Sequence, residues 1–298
     1  MKIDDNCIYK CFSSYFLSNG IDIPPNELFF LYGGEKPEII IKNNEFISEA
    51  SISNCHFDYT YFKEVTNLYF KHEKLNYSRY LQLFEHSVNH EEFLFLIECY
   101  LLELNTDTFR KKYGKHWISV KNKSSDLLTI YDSKFEGVET KENLFKTNLE
   151  SDRIDYFSLR NQNLFKYSKA ILYKSITSSL ENYLELSKKF YEDLYSHIFT
   201  TLSIEDKCIR NIQAVSLVRS LRSPNSLLFS KFIQSTYFTD IPDFRKNYLY
   251  WEKIIVYLLK LFKGSIDVKS FSNIWNSHTE NEFNLYEQSY KKYEKLSG

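Results

Sequence analysis

The apolar residues Ile8, Phe12, Tyr15 and Phe16 form one helical stripe, preceded by Asp4-Asp5-Asn6 and closed by Asn19-Gly20. Asp and Asn cap helix starts and glycine ends helices, so the pattern predicts a helix that opens at about Cys7. Further along, the rhythm changes. Phe93 to Cys99, Trp117 to Lys121, Leu127 to Tyr131 and Ser168 to Tyr173 are dense in aromatic and branched residues, which predicts strands. From Ser175 onward the spacing is helical, with Leu180, Tyr183, Leu184, Phe190, Tyr191 and Leu194 recurring at three and four. Ile254, Ile255, Leu258, Leu259 and Phe262 repeat the pattern, and breaks are expected at Ser223-Pro224-Asn225, Ile241-Pro242-Asp243 and Gly264. The reading is α+β, with an N-terminal domain over 1–172 that mixes helix and sheet and an all-helical domain over 173–298.

Composition narrows the functions that fit. With 298 residues, 43% of them hydrophobic, and 25 Phe and 24 Tyr to fill space, the chain can bury a sizeable core. A formal net charge of -1 gives no field to hold nucleic acid or an acidic membrane, so neither is expected as a partner. No basic start followed by an apolar run and a cleavage site is present, and stretches such as Ile254 to Leu259 are short for a membrane span. Five cysteines, at 7, 11, 55, 99 and 208, form no paired short spacings of the kind that hold zinc. An odd count without a secretion signal predicts reduced thiols in a cytoplasm, and no metal is expected.

Cys7 falls on the first turn of the predicted helix, where unpaired backbone N–H groups and the helix dipole favour a thiolate. Cys11, on the same stripe one turn later, reads as a core residue. A lone cysteine at a helix start is most simply an incidental thiol; a second segment changes the weighing. Lys115-His116-Trp117-Ile118-Ser119-Val120 is followed by Leu127-Leu128-Thr129-Ile130-Tyr131-Asp132, which puts a histidine at the head of one strand and a carboxylate at the end of the next. A short turn between them would set imidazole beside carboxylate, the base and orienter of a nucleophilic triad. Alone, His116 reads as a solvated strand end and Asp132 as a turn residue. In the order Cys7, His116, Asp132 they read as a triad.

Other chemistry is weaker. His86 and His90 share a helix face without the acidic partner of a zinc motif, and Cys55-His56 are chain neighbours that point apart in a strand. Arg110-Lys111-Lys112-Tyr113-Gly114-Lys115 is a basic run just before His116, either a solvated loop or a docking point for an anionic donor.

Cys7 through Gly20, Asn26-Glu27-Leu28-Phe29 and Tyr32-Gly33-Gly34 resemble the N-terminal segment of the butirosin biosynthesis protein H family. Phe93 to Leu102 resembles that family's strand leading into an acidic-x-Tyr-x-Leu motif, with Glu98 where Asp is usual, followed by Tyr100. His116 to Val120 and Tyr131-Asp132 resemble its His-bearing and Asp-bearing strands. The resemblance covers about the first 135 residues. It implies a papain-like, C39-type cysteine protease fold, with Cys7 as nucleophile, His116 and Asp132 completing the triad, and Glu98 and Tyr100 near the substrate. It also implies acyl transfer from a carrier-protein thioester to a small amine, as in papain-like amide synthases of thiotemplated antibiotic pathways, including closthioamide-type assembly lines. Arg110, Lys111 and Lys112 would then meet the acyl or peptidyl carrier protein and its phosphopantetheine, and no intrinsic cofactor is expected. No Gln precedes Cys7 to serve as the usual oxyanion donor. Two alternatives stand beside this reading: a thiol peptidase or amidase using the same triad with water as acceptor, and a non-catalytic binding protein in which Cys7 and His116 lie apart.

Overall fold

The computed structural model describes residues 7–43, 48–55, 57–76, 78–79, 82–83, 92–98, 115–124, 127–131, 138–141, 154–160, 165, 167–223 and 226–297. In chain order these residues form α1 (Cys7–Ser18), α2 (Pro25–Leu31), β1 (Glu35–Asn43), β2 (Ser48–Cys55), α3 (Tyr59–Thr66), β3 (Tyr69–Leu75) and β4 (Glu92–Glu98). Then come β5 (Lys115–Ser124), β6 (Leu127–Tyr131), β7 (Val138–Lys141) and β8 (Ile154–Arg160). The remaining helices are α4 (Lys169–Leu202), α5 (Lys207–Arg222), α6 (Leu227–Tyr237), α7 (Pro242–Phe262) and α8 (Val268–Ser297). The fold is α+β.

The chain divides into two units, one grouping residues 2–28 with 67–166 and the other grouping 29–66 with 167–298. This corrects the expected division after residue 172. Residues 29–66 belong with the C-terminal helices because their hairpin, β1 and β2, packs on α4, α5 and α6 and buries Ala50 and Ile52. That unit is therefore not all-helical. The run Ser168 to Tyr173 is also helix rather than strand. Ser168 is extended and its hydroxyl accepts from the Ile171 N–H, so it caps α4, whose apolar stripe continues through Leu172, Ile176 and Leu180. Six residues with no visible period could not separate a buried strand from the first turns of a long helix.

The sheet unit is built on one antiparallel sheet of order β3-β8-β4-β5-β6-β7. β4 reads Phe-Leu-Phe-Leu-Ile without alternation because both its faces are covered. Phe93, Phe95 and Ile97 share one face with Ile118, Val120, Ile130 and Tyr156, all buried. Leu94, Trp117 and Phe157 lie on the other face, under α1. There Phe12 meets Trp117 edge-on at 4.8 Å and Phe70 at 5.1 Å. Burial of the fully covered Phe12 ring alone stabilises this packing by about 2–3 kcal/mol.

In the helical unit α4 and α8 lie antiparallel. Tyr173 meets Tyr293, Tyr183 stacks on Tyr286 at 3.7 Å, and Tyr191 meets Trp275. The turn before β1 needs glycine, because Gly34 has φ 63° and an added Cβ would lie 2.0 Å from Ser179 Oγ. That hydroxyl accepts the Glu35 N–H at 2.9 Å, which ties β1 to α4.

Candidate active site

Cys7 is the first residue of α1, as its sequence position predicts. One turn later Cys11 is buried, and its thiol donates to the Trp117 carbonyl at 3.4 Å. Further along α1, Ser14 donates to Glu92 Oε1 at 3.0 Å and Ser18 to Glu92 Oε2, while Ser119 of β5 also donates to Glu92. Ser14 and Ser18 are thus level with Ser119, and Cys11 with Trp117, so α1 runs parallel to β5. Extending the helix back by four residues, about 6 Å at its usual rise, brings its start to the end of the sheet where Lys115 and His116 begin β5.

His116 lies opposite Ile97, is half-buried, and its Nε2 is shielded from solvent. Side chains alternate along a strand. Trp117 faces α1, so His116 shares the opposite face with Ile118 and Val120. The start of α1 and the start of β5 therefore meet at one end of the sheet, while the pleat directs the imidazole away from the face that α1 covers. Glu98 closes β4 opposite Lys115, and β6 ends at Tyr131 opposite Ser119. Asp132, Tyr100, Arg110, Lys111 and Lys112 lie outside the described residues, as do His86, His90, His56 and Cys99.

An imidazole–carboxylate pair in the sheet unit had no motif to announce it. His72 Nε2 is 2.7 Å from Asp155 Oδ1, and the His72 ring stacks on Phe157 at 4.7 Å. The partners belong to β3 and β8, which neighbour each other in the sheet though 83 residues apart in sequence. In the order β3-β8-β4-β5 the pair sits on the far side of β4 from His116's strand.

The helical unit holds a buried ionic cluster that sequence reading also missed. Lys231 Nζ lies 2.8 Å from Glu35 Oε1 and 2.9 Å from Glu282 Oε1, and all three side chains are fully buried. Tyr286 and Gln234 donate to Glu35 Oε2, and Asn54 donates to Glu35 Oε1. Glu282 accepts from Asn247 at 2.8 Å, Tyr191 at 2.7 Å and Trp251 at 3.1 Å. Burial alone would raise the Glu282 carboxyl, but Lys231, the imidazole of His278 as it charges in acid, and the Asn247 donor hold it down to about 2. The hydroxyls of Tyr183, Tyr191 and Tyr286 are pushed well up by burial and by the adjacent carboxylates, so they remain donors.

Among the described residues no group of three or more His, Cys, Asp or Glu side chains is placed to hold a metal ion, and no helix is long and apolar enough to cross a membrane. No protein-family model matches the chain, and no curated protein is significantly similar to it.

Proposed function

We propose that this chain is a cysteine-dependent acyltransferase with a papain-like catalytic unit, an amide synthase that moves an acyl group from a carrier-protein thioester through acyl-Cys7 to an amine. The observation that carries the reading is the register of α1 along β5, which brings a helix-start cysteine and a strand-start histidine to the same end of one sheet. His116 takes the Cys7 proton and the sulfur attacks the thioester carbonyl. A new C–S bond forms, the donor C–S bond breaks, and the proton passes to the departing phosphopantetheine thiol. The amine nitrogen then attacks acyl-Cys7. A C–N bond forms, the Cys7 C–S bond breaks, and His116 moves the amine proton to the Cys7 sulfur. Asp132 would hold the imidazole in its reactive tautomer. Arg110, Lys111 and Lys112 would meet the anionic carrier and its phosphate, with Glu98 and Tyr100 near the acyl group.

Intact mass after mixing with an acyl-carrier thioester tests this. The wild-type chain and Cys11→Ala should gain the acyl mass, and Cys7→Ala should gain none. His116→Ala should slow loading by about 100-fold or more, in keeping with loss of a general base, whereas His72→Ala should leave it unchanged. Lys111→Glu with Lys112→Glu should slow loading from the carrier, most at low salt, and spare loading from a small uncharged thioester. A second reading, a non-catalytic binding protein, is favoured by the pleat that turns His116 from α1's face. Failure of the wild-type chain to gain mass from any thioester would establish it over the first.

A further inference from the structure

Between α7 and α8 a cavity of about 460 Å³ is lined by Asn247 and Tyr250 from one helix and His278, Asn281, Glu282 and Gln288 from the other. Besides Glu282, two of its lining residues are almost wholly buried, Asn247 at 6% and His278 at 4% exposure. Each carries a buried polar atom without a hydrogen-bond partner, Asn247 Oδ1 and His278 Nε2. A buried polar atom left unpaired costs about 1–3 kcal/mol, so two carried by residues that line one cavity mark a place that a ligand can satisfy.

The chemistry of those atoms selects the ligand. Asn247 Nδ2 donates to Glu282 Oε1 at 2.8 Å, which fixes the orientation of the amide and makes the unpaired end an acceptor. His278 stacks flat on Tyr250 at 5.0 Å and stands edge-on to Trp251. Burial lowers its pKa, Glu282 working against that and Lys231 with it, so the ring is neutral at pH 7, and in the tautomer with the proton on Nδ1 its Nε2 lone pair accepts. Both unpaired atoms therefore call for donors. Glu282 belongs to a cluster in which two buried carboxyls face the single ammonium of Lys231, an arrangement that favours a cation over an anion. At the rim Lys246 is paired with Asp243 at 2.6 Å, which offsets its positive charge.

We propose that this cleft is a binding site for a small primary ammonium ligand, whose N–H groups donate to Asn247 Oδ1 and His278 Nε2 beside the Tyr250 ring. The site stands independently of the acyltransferase reading, since neither Cys7 nor His116 enters the argument. An ammonium carries enough donors for both acceptors with one left for a rim carboxamide.

Calorimetric titration of the full chain with n-butylammonium chloride tests the proposal against tetramethylammonium, which has the charge without donors, and n-butanol, which has a donor without the charge. Saturable binding of n-butylammonium alone is expected. His278→Phe keeps a ring against Tyr250 and should weaken that binding by about tenfold or more, the size of one lost hydrogen bond to a charged group. Should that variant fail to fold, ¹⁵N-imidazole spectra of the unmodified chain give the same information, because one histidine Nε2 signal should shift saturably with n-butylammonium only. Equal binding of tetramethylammonium or n-butanol would overturn the proposal. So would the absence of saturable binding, which would mean that water alone fills the cleft.

Discussion

In the sheet unit Glu92 lies under α1 with the hydroxyls of Ser14, Ser18 and Ser119 turned toward its oxygens, whereas in the helical unit Glu35 and Glu282 share the ammonium of Lys231. The first arrangement is assembled from one helix and the neighbouring strands, and each neutral donor adds about 1 kcal/mol. The second draws on β1, β2, α4, α6, α7 and α8, and its central charge serves both carboxyls at once. A carboxylate held by several hydroxyls tolerates losing one of them. A carboxylate pair held by one buried cation does not, because removing the cation leaves two uncompensated charges in a low-dielectric core. The packing of Phe12, Leu94, Trp117 and Phe157 is aromatic and aliphatic, so stability there should depend on volume rather than charge.

The sharpest way to break this contrast is Lys231→Met, which should destabilise the helical unit by about 3–5 kcal/mol. Chemical denaturation followed through Trp251 and Trp275 would read that loss, and adding Glu35→Gln and Glu282→Gln should recover much of it. A loss under about 1 kcal/mol would show that the cluster is not ionised. On the other side, Leu94→Ala should cost about 3 kcal/mol, read through Trp117 fluorescence, and the cost should be the same at pH 7 and pH 4. Acid is the next test. The Glu282 carboxyl is held at about 2 in the folded chain, below its ordinary value of 4.5, so its contribution is fully present above pH 4.5 and fades as pH falls toward 2. On the order of 2 kcal/mol of helical-unit stability should be gone by pH 3, and Lys231→Met should flatten that dependence. Ser14→Ala is the smallest effect, about 1 kcal/mol by thermal melting of the sheet unit, since Ser18 and Ser119 still serve Glu92.

Much of the local structure was written in neighbouring residues. The stripe after Asp4-Asp5-Asn6 gave α1, and Gly20 follows it at φ 76°, a conformation that glycine adopts without strain. The runs from Phe93, Trp117 and Leu127 became β4, β5 and β6, and helices stop or start at 223–226, Pro242 and Gly264 as the turn residues require. Cys11 is the core residue that its place on the stripe suggested. The sequence also brought out Cys7, His116 and Asp132 as residue types suited to one another.

Placement across long chain separations was decided only by the tertiary structure. β3 pairs with β8 and Glu35 meets Lys231 and Glu282 because separate segments buried complementary groups together, and no spacing within either segment encodes the partner. The hairpin of residues 35–55 joined the helical unit for the same reason. Even at the proposed site, alternation told that His116 and Trp117 point opposite ways, but not which way α1 would lie. That was settled when Phe12 packed on Trp117, since the helix buries its apolar stripe against whichever sheet face offers a matching ring.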